Sequence, residues 1–199
     1  MSEIKAIIFD CFNVLVADAT HRALADLSEL DPNKRQEFSA VTHAVDKGVI
    51  GDLEAAEVQA ALMGMSVEAF IELRNNGEVR NEQLISFIET LKGKYRLGMV
   101  SNINSRERLD SRFLPGQLAQ LFEVVIASGE VGYIKPEPEI FEIAASQLGV
   151  HPTECVFIDD IAEFCEGAKA TGMQAIQFIS TNQAISDLNS LIDRGGEKE

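Results

Sequence analysis

Three aspartates stand where apolar runs of the sequence end. Asp10 follows the run Ile7–Phe9, and Asp159 and Asp160 follow the run Val156–Ile158. A parallel strand that is buried on both faces is a continuous apolar run, so both segments are predicted to be strands. A carboxylate at the carboxyl end of such a strand is not explained by the core, and ligands of open α/β sheets bind at that edge. The aspartates therefore predict a site that holds a cation and can attack an electrophile.

Three further polar residues are predicted to reach the same edge. Ser101 and Asn102 follow the predicted strand Tyr95–Val100, and Lys135 comes after the predicted strand Val124–Ala127, just before a helix. The carboxyl ends of parallel strands meet at one edge of a sheet, so these side chains should lie near the aspartates. A serine can donate a hydrogen bond to a phosphate oxygen, and a lysine can neutralise its charge.

The charges of this constellation indicate a divalent cation. Three carboxylates and one lysine sum to a charge of −2, and carboxylates that lie close together cannot all stay ionised without a counter-charge. One divalent cation brings the sum to zero. Oxygen ligands without a cluster of histidines or cysteines favour Mg²⁺ over zinc. An aspartate beside such a site can attack phosphorus and form an aspartyl-phosphate.

Composition limits the partners. The 199 residues are 46% hydrophobic and 25% charged, with a net charge of −15. Such a chain can form one core with a small second domain, and its acidity argues against a nucleic-acid backbone as partner. A phosphate site in it needs local positive charge. No apolar run approaches the roughly 20 residues of a membrane helix, and the N-terminus enters a strand without room for a signal peptide.

The cysteines also bear on the compartment. Cys11, Cys155 and Cys165 are an odd number without paired metal spacing. They are predicted to be buried, reduced thiols of a cytoplasmic protein.

Strands and helices alternate after an all-helical block, which predicts a doubly wound parallel sheet with helices on both faces. The predicted strands are Ile4–Asp10, Tyr95–Val100, Val124–Ala127, Cys155–Ile158 and Met173–Ile179. The helical block is predicted to contain Thr20–Leu30, Pro32–Lys47, Asp52–Met63 and Val67–Arg74. The later helices are predicted at Glu82–Leu91, Arg106–Phe113, Glu139–Leu148, Glu163–Thr171 and Gln183–Ile192. We expect a core domain of residues 1–16 and 78–199, with residues 17–77 inserted as a cap that could cover the carboxyl edge of the sheet.

Four motifs, in order along nearly the whole chain, resemble those of the haloacid dehalogenase superfamily. They are Phe9–Leu15, Val100–Asn102, Ile134–Pro138 and Phe157–Asp160. Each motif alone is weak, but together they are specific. The resemblance implies a Rossmann-like core, and the helical block is similar to the superfamily's small helical cap.

The resemblance also implies roles for individual residues. Asp10 would be the nucleophile and a Mg²⁺ ligand, and Asp159 and Asp160 would hold the metal. Ser101 and Lys135 would bind the transferring phosphoryl group of a small phosphorylated metabolite.

Two positions depart from the family pattern. Phosphatases of the family usually carry a second aspartate, as general acid and base, where this chain has Phe12. The backbone carbonyl of Phe12 can still meet the metal, but its side chain cannot move a proton. Phe164 stands where many relatives have an asparagine. Asp18 and His21 could face the site from the cap, and a proton-transfer role for them is the lesser alternative to a surface helix start. Asn102 is predicted first as a turn or cap residue and second as a substrate-binding residue.

Three functions stay open at this point. The leading one is a Mg²⁺-dependent phosphatase. The second is a 2-haloacid dehalogenase, which also uses an aspartate nucleophile and has an aromatic residue at the position of Phe12, but needs no metal; the pair Asp159 and Asp160 weighs against it. The third is a binding or regulatory protein that kept the fold and lost turnover, which Phe12 and Phe164 motivate.

Overall fold

The computed structural model describes residues 2–17, 31–75 and 79–196. The predicted helix Thr20–Leu30 and the two alternative proton donors, Asp18 and His21, lie outside these residues.

Five parallel strands form the predicted sheet. They are β1 (Ala6–Phe9), β2 (Arg96–Ser101), β3 (Val124–Ala127), β4 (Cys155–Asp159) and β5 (Gln174–Gln177), in the spatial order β3-β2-β1-β4-β5. The register pairs Phe9 of β1 with Ile158 of β4, and the backbone N–H of Asp10 donates to the carbonyl of Ile158 over 2.9 Å. Asp10, directly after β1, and Asp159, the last residue of β4, therefore reach the same edge of the sheet. The predicted fold class is confirmed.

Ten helices are found in the described residues. Those between β1 and β2 are α1 (Pro32–Asp46), α2 (Asp52–Met63), α3 (Val67–Asn75) and α4 (Glu82–Leu91). The remainder are α5 (Arg106–Asp110), α6 (Gln117–Leu121), α7 (Ser128–Val131), α8 (Pro138–Gln147), α9 (Ala162–Ala170) and α10 (Thr181–Gly196), with a 3₁₀ turn at Pro152–Glu154. None of these helices is long and apolar enough to cross a membrane.

The structure differs from the sequence prediction at three short helices. Helices α6 and α7 were not predicted, because five and four residues are too few to show a helical period. Helix α5 ends at Asp110 rather than at Phe113, since the next residues form a turn in which Arg112 N–H donates to the carbonyl of Leu109.

The sheet separates two apolar layers, because side chains alternate along each strand. Ile7 and Phe9 pack on one face, while Ala6 and Ile8 pack on the other. The first face is covered by buried side chains of α4, α5, α6 and α10, and the second by those of α8 and α9. Cys11, Cys155 and Cys165 are buried and form no disulfide, as predicted.

Helices α1 to α3 enclose a third apolar cluster, in which the rings of Phe38 and Phe70 lie 6.2 Å apart. This layer contacts the core through α7, where the Ser128 hydroxyl donates to the carbonyl of Asp46 over 2.6 Å. The positive φ of Gly48, +71°, suits a glycine there, and a Cβ at this position would meet the Gly129 carbonyl at 2.7 Å. The exact limits of the cap, residues 17–77, stay a prediction.

Helix α9 packs closely against the segment that carries Lys135. A Cβ built on Gly167 would lie 2.7 Å from both the carbonyl oxygen and the Cβ of Pro136. Because Pro136 follows Lys135 directly, the absence of a side chain at Gly167 fixes how near the lysine's backbone comes to the helix.

We expect Gly167→Ala to destabilise the protein. The overlap with Pro136 costs about 1–3 kcal/mol, which exceeds the gain of about 1 kcal/mol when alanine replaces a helical glycine. Urea unfolding monitored by circular dichroism measures the change. Glu166→Ala, which removes only an exposed ion pair with Lys169 on the same helix, is the control and should change stability by less than about 1 kcal/mol. A Gly167→Ala protein more stable than the wild type contradicts this account of the packing.

Candidate active site

A buried lysine joins two buried carboxylates at the edge of the sheet. The Lys135 ammonium lies 2.6 Å from Asp10 Oδ1 and 2.6 Å from Asp159 Oδ2. All three side chains are almost inaccessible to solvent, at 7% exposed or less. The second oxygen of Asp159 accepts a hydrogen bond from the N–H of Ile161 at 2.8 Å. The structure thus brings together residues from β1, β4 and the segment after β3, as the sequence analysis expected.

Asp160 completes a set of three carboxylates. One oxygen from each of Asp10, Asp159 and Asp160 lies within 4.8 Å of the others. Asn13 donates to Asp160 Oδ2 at 3.1 Å and has a positive φ of 58°, a conformation that asparagine tolerates better than most residues. Asn13 was not among the predicted site residues, although it lies inside the first motif.

The electrostatics of the site follow from its burial. Burial raises the pKa of Asp10 to about 8, the charge of Asp159 adds to this rise, and Lys135 opposes it. Burial by itself lowers the pKa of Lys135, but the attraction of Asp10 and Asp159 outweighs it and raises the pKa above the usual value for lysine. Three carboxylates with one ammonium leave an excess of negative charge. An oxygen-only donor set with this charge fits a hard divalent cation.

Ser101 presents a hydroxyl without a protein partner. The residue ends β2 and is fully buried, and its Oγ has no hydrogen-bond partner. An unsatisfied buried hydroxyl costs about 1–3 kcal/mol. Ser101 lines the same cavity as Asp10 and Lys135, so an oxygen of a ligand in that cavity could accept this hydrogen bond.

The side chain of Asn102 is occupied by the backbone of Lys135. Its Oδ1 accepts from the Lys135 N–H at 2.8 Å, and its Nδ2 donates to the Lys135 carbonyl at 3.1 Å. Both bonds connect residues 33 positions apart in the chain. The structure therefore gives Asn102 a positioning contact that the sequence did not predict, while its substrate-binding role stays a prediction.

Aromatic rings surround the lysine. The Lys135 ammonium lies 5.0 Å from the ring centroid of Phe164 and 5.5 Å from that of Phe157, within the range of a cation–π interaction. From the sequence, Phe164 was only a departure from the family pattern, in place of the asparagine of many relatives. It also supplies a ring face that stabilises the charge of Lys135.

A cavity of about 300 Å³ lies over this edge of the sheet. Its lining includes Phe12 from the first motif, together with Phe38, Thr42 and Phe70 from α1 and α3. The helical segment therefore forms part of the wall, as the sequence analysis expected. His43 of α1 is exposed and also lines the cavity.

Three arginines of the cavity wall were not predicted from the sequence. They are Arg74 on α3, Arg108 on α5 and Arg112 in the turn that follows α5. No motif marks them, and nothing in the sequence shows that α3 and α5 approach each other.

The chain is similar in sequence to known hydrolases. A family model described as haloacid dehalogenase-like hydrolase matches residues 4–172. The chain is 32% identical over 108 residues to a phosphatase of Mycobacterium tuberculosis, a match that covers 51% of this chain and only 50% of that protein. The chain thus matches about half the length of this relative.

Two solved structures share the fold. A haloacid dehalogenase family enzyme of Bacteroides thetaiotaomicron, in complex with magnesium and inorganic phosphate, has a TM-score of 0.70 and 23% identity, covering 87% of this chain and 93% of that one. A 2-haloacid dehalogenase of Pseudomonas syringae has a TM-score of 0.57 and 21% identity, covering 88% and 86%. The family match over most of the chain, with the aspartate and lysine cluster at the carboxyl edge of the sheet, shows that this protein belongs to the haloacid dehalogenase-like hydrolases.

Proposed function

We propose that the protein is a Mg²⁺-dependent phosphatase, which hydrolyses small phosphomonoesters through an aspartyl-phosphate on Asp10. One observation carries the proposal. The partnerless Ser101 hydroxyl and the Lys135 ammonium line the same cavity as the carboxylate of Asp10. A donor, a cation and a nucleophile at one end of a cavity are what a phosphoryl group requires.

The metal would be held by Asp10, Asp159 and Asp160, with the backbone carbonyl of Phe12 as a further ligand. When bound, Mg²⁺ neutralises charge on the carboxylates and on the phosphoryl oxygens. The related enzyme of Bacteroides thetaiotaomicron, which was solved with magnesium and inorganic phosphate, supports this choice of ion. The pair of aspartates at positions 159 and 160 also favours a metal-dependent reaction.

The reaction would run in two steps. The Asp10 carboxylate attacks phosphorus while the P–O bond to the alcohol breaks, and Lys135 and Ser101 hold the phosphoryl oxygens. Water then attacks the aspartyl-phosphate, which releases inorganic phosphate and regenerates Asp10. The helices of the cap would exclude bulk water during the first step.

The proton of the first step has no donor at Phe12. The leaving alcohol must take its proton from water or from another group, of which Asp18 is a candidate outside the described residues. This lack favours esters whose leaving group departs without protonation. The 2-haloacid dehalogenases share this lack of an acidic side chain at the position of Phe12. The experiments below distinguish a phosphatase from a dehalogenase.

We expect the wild-type protein to hydrolyse one or more phosphorylated metabolites with Mg²⁺ and none after chelation. Asp10→Asn should lower turnover by on the order of 10³-fold or more, because an amide is a poor nucleophile. A phosphate-release screen measures both. Asp187→Asn, which changes a surface carboxylate on α10, should leave the rates unchanged. Halide release from 2-chloropropionate in the absence of metal, without phosphate release, would instead establish the dehalogenase. If neither phosphate nor halide is released, the third alternative, a binding or regulatory protein without turnover, is supported.

Asn102→Ala tests the positioning of Lys135. The substitution removes both hydrogen bonds to the lysine's backbone, each of which contributes about 0.5–1.5 kcal/mol. We expect kcat to fall about tenfold, because small displacements of a charged group in an active site are costly. Steady-state kinetics with the best substrate of the screen measures it. Asn189→Ala, at an exposed position of α10, is the control. If Asn102→Ala keeps full activity, the two bonds do not position the lysine.

Phe12→Asp tests the missing general acid. A well-placed acid–base group is worth about 10² to 10⁴ in rate, so the substitution should speed hydrolysis of alkyl phosphates, whose leaving groups are poor. Aryl phosphates such as p-nitrophenyl phosphate should gain less. Phe12→Asn is the matched control, because asparagine has the shape of aspartate but cannot act as a general acid or base. It should give no gain in rate.

A failure of Phe12→Asp to speed hydrolysis would indicate a different proton donor. If Asp18 already supplies the proton, Phe12→Asp gives little gain and Asp18→Asn in the wild type is damaging. If Phe12→Asp slows hydrolysis and Asp18→Asn stays active, then neither explanation holds: the reaction is not limited by a missing acid at position 12, and Asp18 does not supply the proton.

A further inference from the structure

The arginines of the cavity wall are unusual in a chain whose net charge is −15. Arg74 comes from α3, while Arg108 and Arg112 come from α5 and the turn after it. All three line the cavity that also contains Asp10 and Ser101. The cavity wall therefore contains three guanidinium groups in addition to the ammonium of Lys135.

Two carboxylates accompany these arginines. Asp52 accepts from Arg74 Nη1 at 3.0 Å, from Arg74 Nη2 at 2.8 Å and from Arg108 Nη1 at 2.8 Å. Asp46 also acts on Arg108 by its charge. We call Arg74, Arg108, Arg112, Asp52 and Asp46 the arginine cluster. It contains three guanidinium groups and two carboxylates, so positive charge is in excess.

This excess charge is partly removed from water. The side chains of Arg74 and Arg108 are 14% and 24% exposed. The Nε of Arg74 is buried without a hydrogen-bond partner. Burial lowers the pKa of Arg108, and repulsion from Arg74 and Arg112 lowers it further. A cluster under mutual repulsion is stabilised when an anion binds.

The position of the cluster connects it with the substrate. Lys135 and Ser101 can take one anionic group at the carboxyl edge of the sheet, and the arginine cluster lines the same cavity of about 300 Å³. Guanidinium groups suit carboxylate and phosphate oxygens because their donors form a planar fork. A single small molecule could therefore contact both groups of cations.

We propose that the substrate is a phosphomonoester that carries a second anionic group, a carboxylate or another phosphate, which the arginine cluster binds. The phosphoester end of this assignment rests on the proposed function. The second anion rests on the cluster alone. Arg74, from the cap segment, and Arg108, from the core, would both contact this second anionic group.

A structural role of the same residues makes a different prediction. Asp52 joins Arg74 to Arg108 and so links α2, α3 and α5. If that link is the whole purpose of the cluster, loss of an arginine lowers activity toward all phosphomonoesters by the same factor. If the cluster binds a second anion, the loss falls on phosphomonoesters that carry a second anionic group.

The test compares two matched pairs of substrates. The first is 3-phosphoglycerate against glycerol 3-phosphate, which differ by a carboxylate in place of a hydroxymethyl group. The second is propane-1,3-diol bisphosphate against the corresponding monophosphate. We expect the wild type to prefer the more anionic member of at least one pair by about tenfold or more in kcat/KM, because only that member can form a charge-assisted hydrogen bond with the arginine cluster. The preferred pair identifies the second anion as carboxylate or phosphate.

Arg108→Gln and Arg112→Gln should each reduce that preference about tenfold. If Arg108→Gln does not fold, Arg112→Gln alone provides the test. Arg106→Gln is the matched control, because Arg106 lies on the same helix, is 39% exposed and pairs only weakly with Asp110 over 3.9 Å. It should keep the wild-type preference. Equal kcat/KM within both pairs, or a preference unchanged in both variants, overturns the proposal.

A binding measurement separates this failure from failure of the proposed function. The melting temperature of the wild type should rise more with 3-phosphoglycerate or the bisphosphate than with the matched ester that lacks the second anionic group, and Arg108→Gln should remove the difference. If no ester is hydrolysed but this difference is present, the phosphatase proposal fails and the anion site stands. If esters are hydrolysed without any such difference, the anion site fails alone.

Discussion

The site is organised by one buried ammonium shared between two carboxylates. Burying the charges of Asp10 and Asp159 costs several kcal/mol each unless a counter-charge lies in contact with them, and Lys135 lies 2.6 Å from both. The strand register that pairs Phe9 with Ile158 brings these carboxylates together. The segment after β3 must then deliver a lysine to the same point. A buried charge group of this kind is weak evidence for stability, since apolar residues of similar volume would pack as well, so its presence points to chemistry.

Much of the surrounding structure holds that lysine in place. Asn102 bonds both polar groups of its backbone, Phe164 presents a ring to its ammonium, and Gly167 leaves room for the next residue, Pro136. These contacts come from β2 and α9, the elements next to the central strands. Because several elements converge on one side chain, the lysine cannot move far without displacing β2 or α9. That rigidity suits a group whose distance from the reacting phosphoryl oxygen decides the rate.

The parts of this arrangement that the sequence predicted are those with a local signal. Continuous apolar runs that end in Asp10 and Asp159 mark parallel strands and their carboxyl ends, and the period of Glu82–Leu91 marks a helix. The contact of Asn102 with Lys135 could not be predicted, because it joins residues 33 positions apart. The short helices α6 and α7 lack enough residues to show a period. The approach of Arg74 to Arg108 depends on how α3 lies against α5, which no spacing in the chain records.

The contrast between the exterior and the cavity has a physical consequence for any anionic substrate. A net charge of −15 repels anions at a distance, but salt screens charges beyond about 8 Å at physiological ionic strength. Inside the cavity, the cations are partly desolvated and their attraction is screened much less. The acidic surface therefore lowers mainly the rate of encounter, and added salt relieves it. The buried Lys135 and the partly buried Arg74 and Arg108 govern affinity once the substrate has entered. An anion that reaches both Lys135 and the arginine cluster is attracted by two groups of cations at short range. An ester with one charged end meets the same repulsion on approach but is attracted by only one of them.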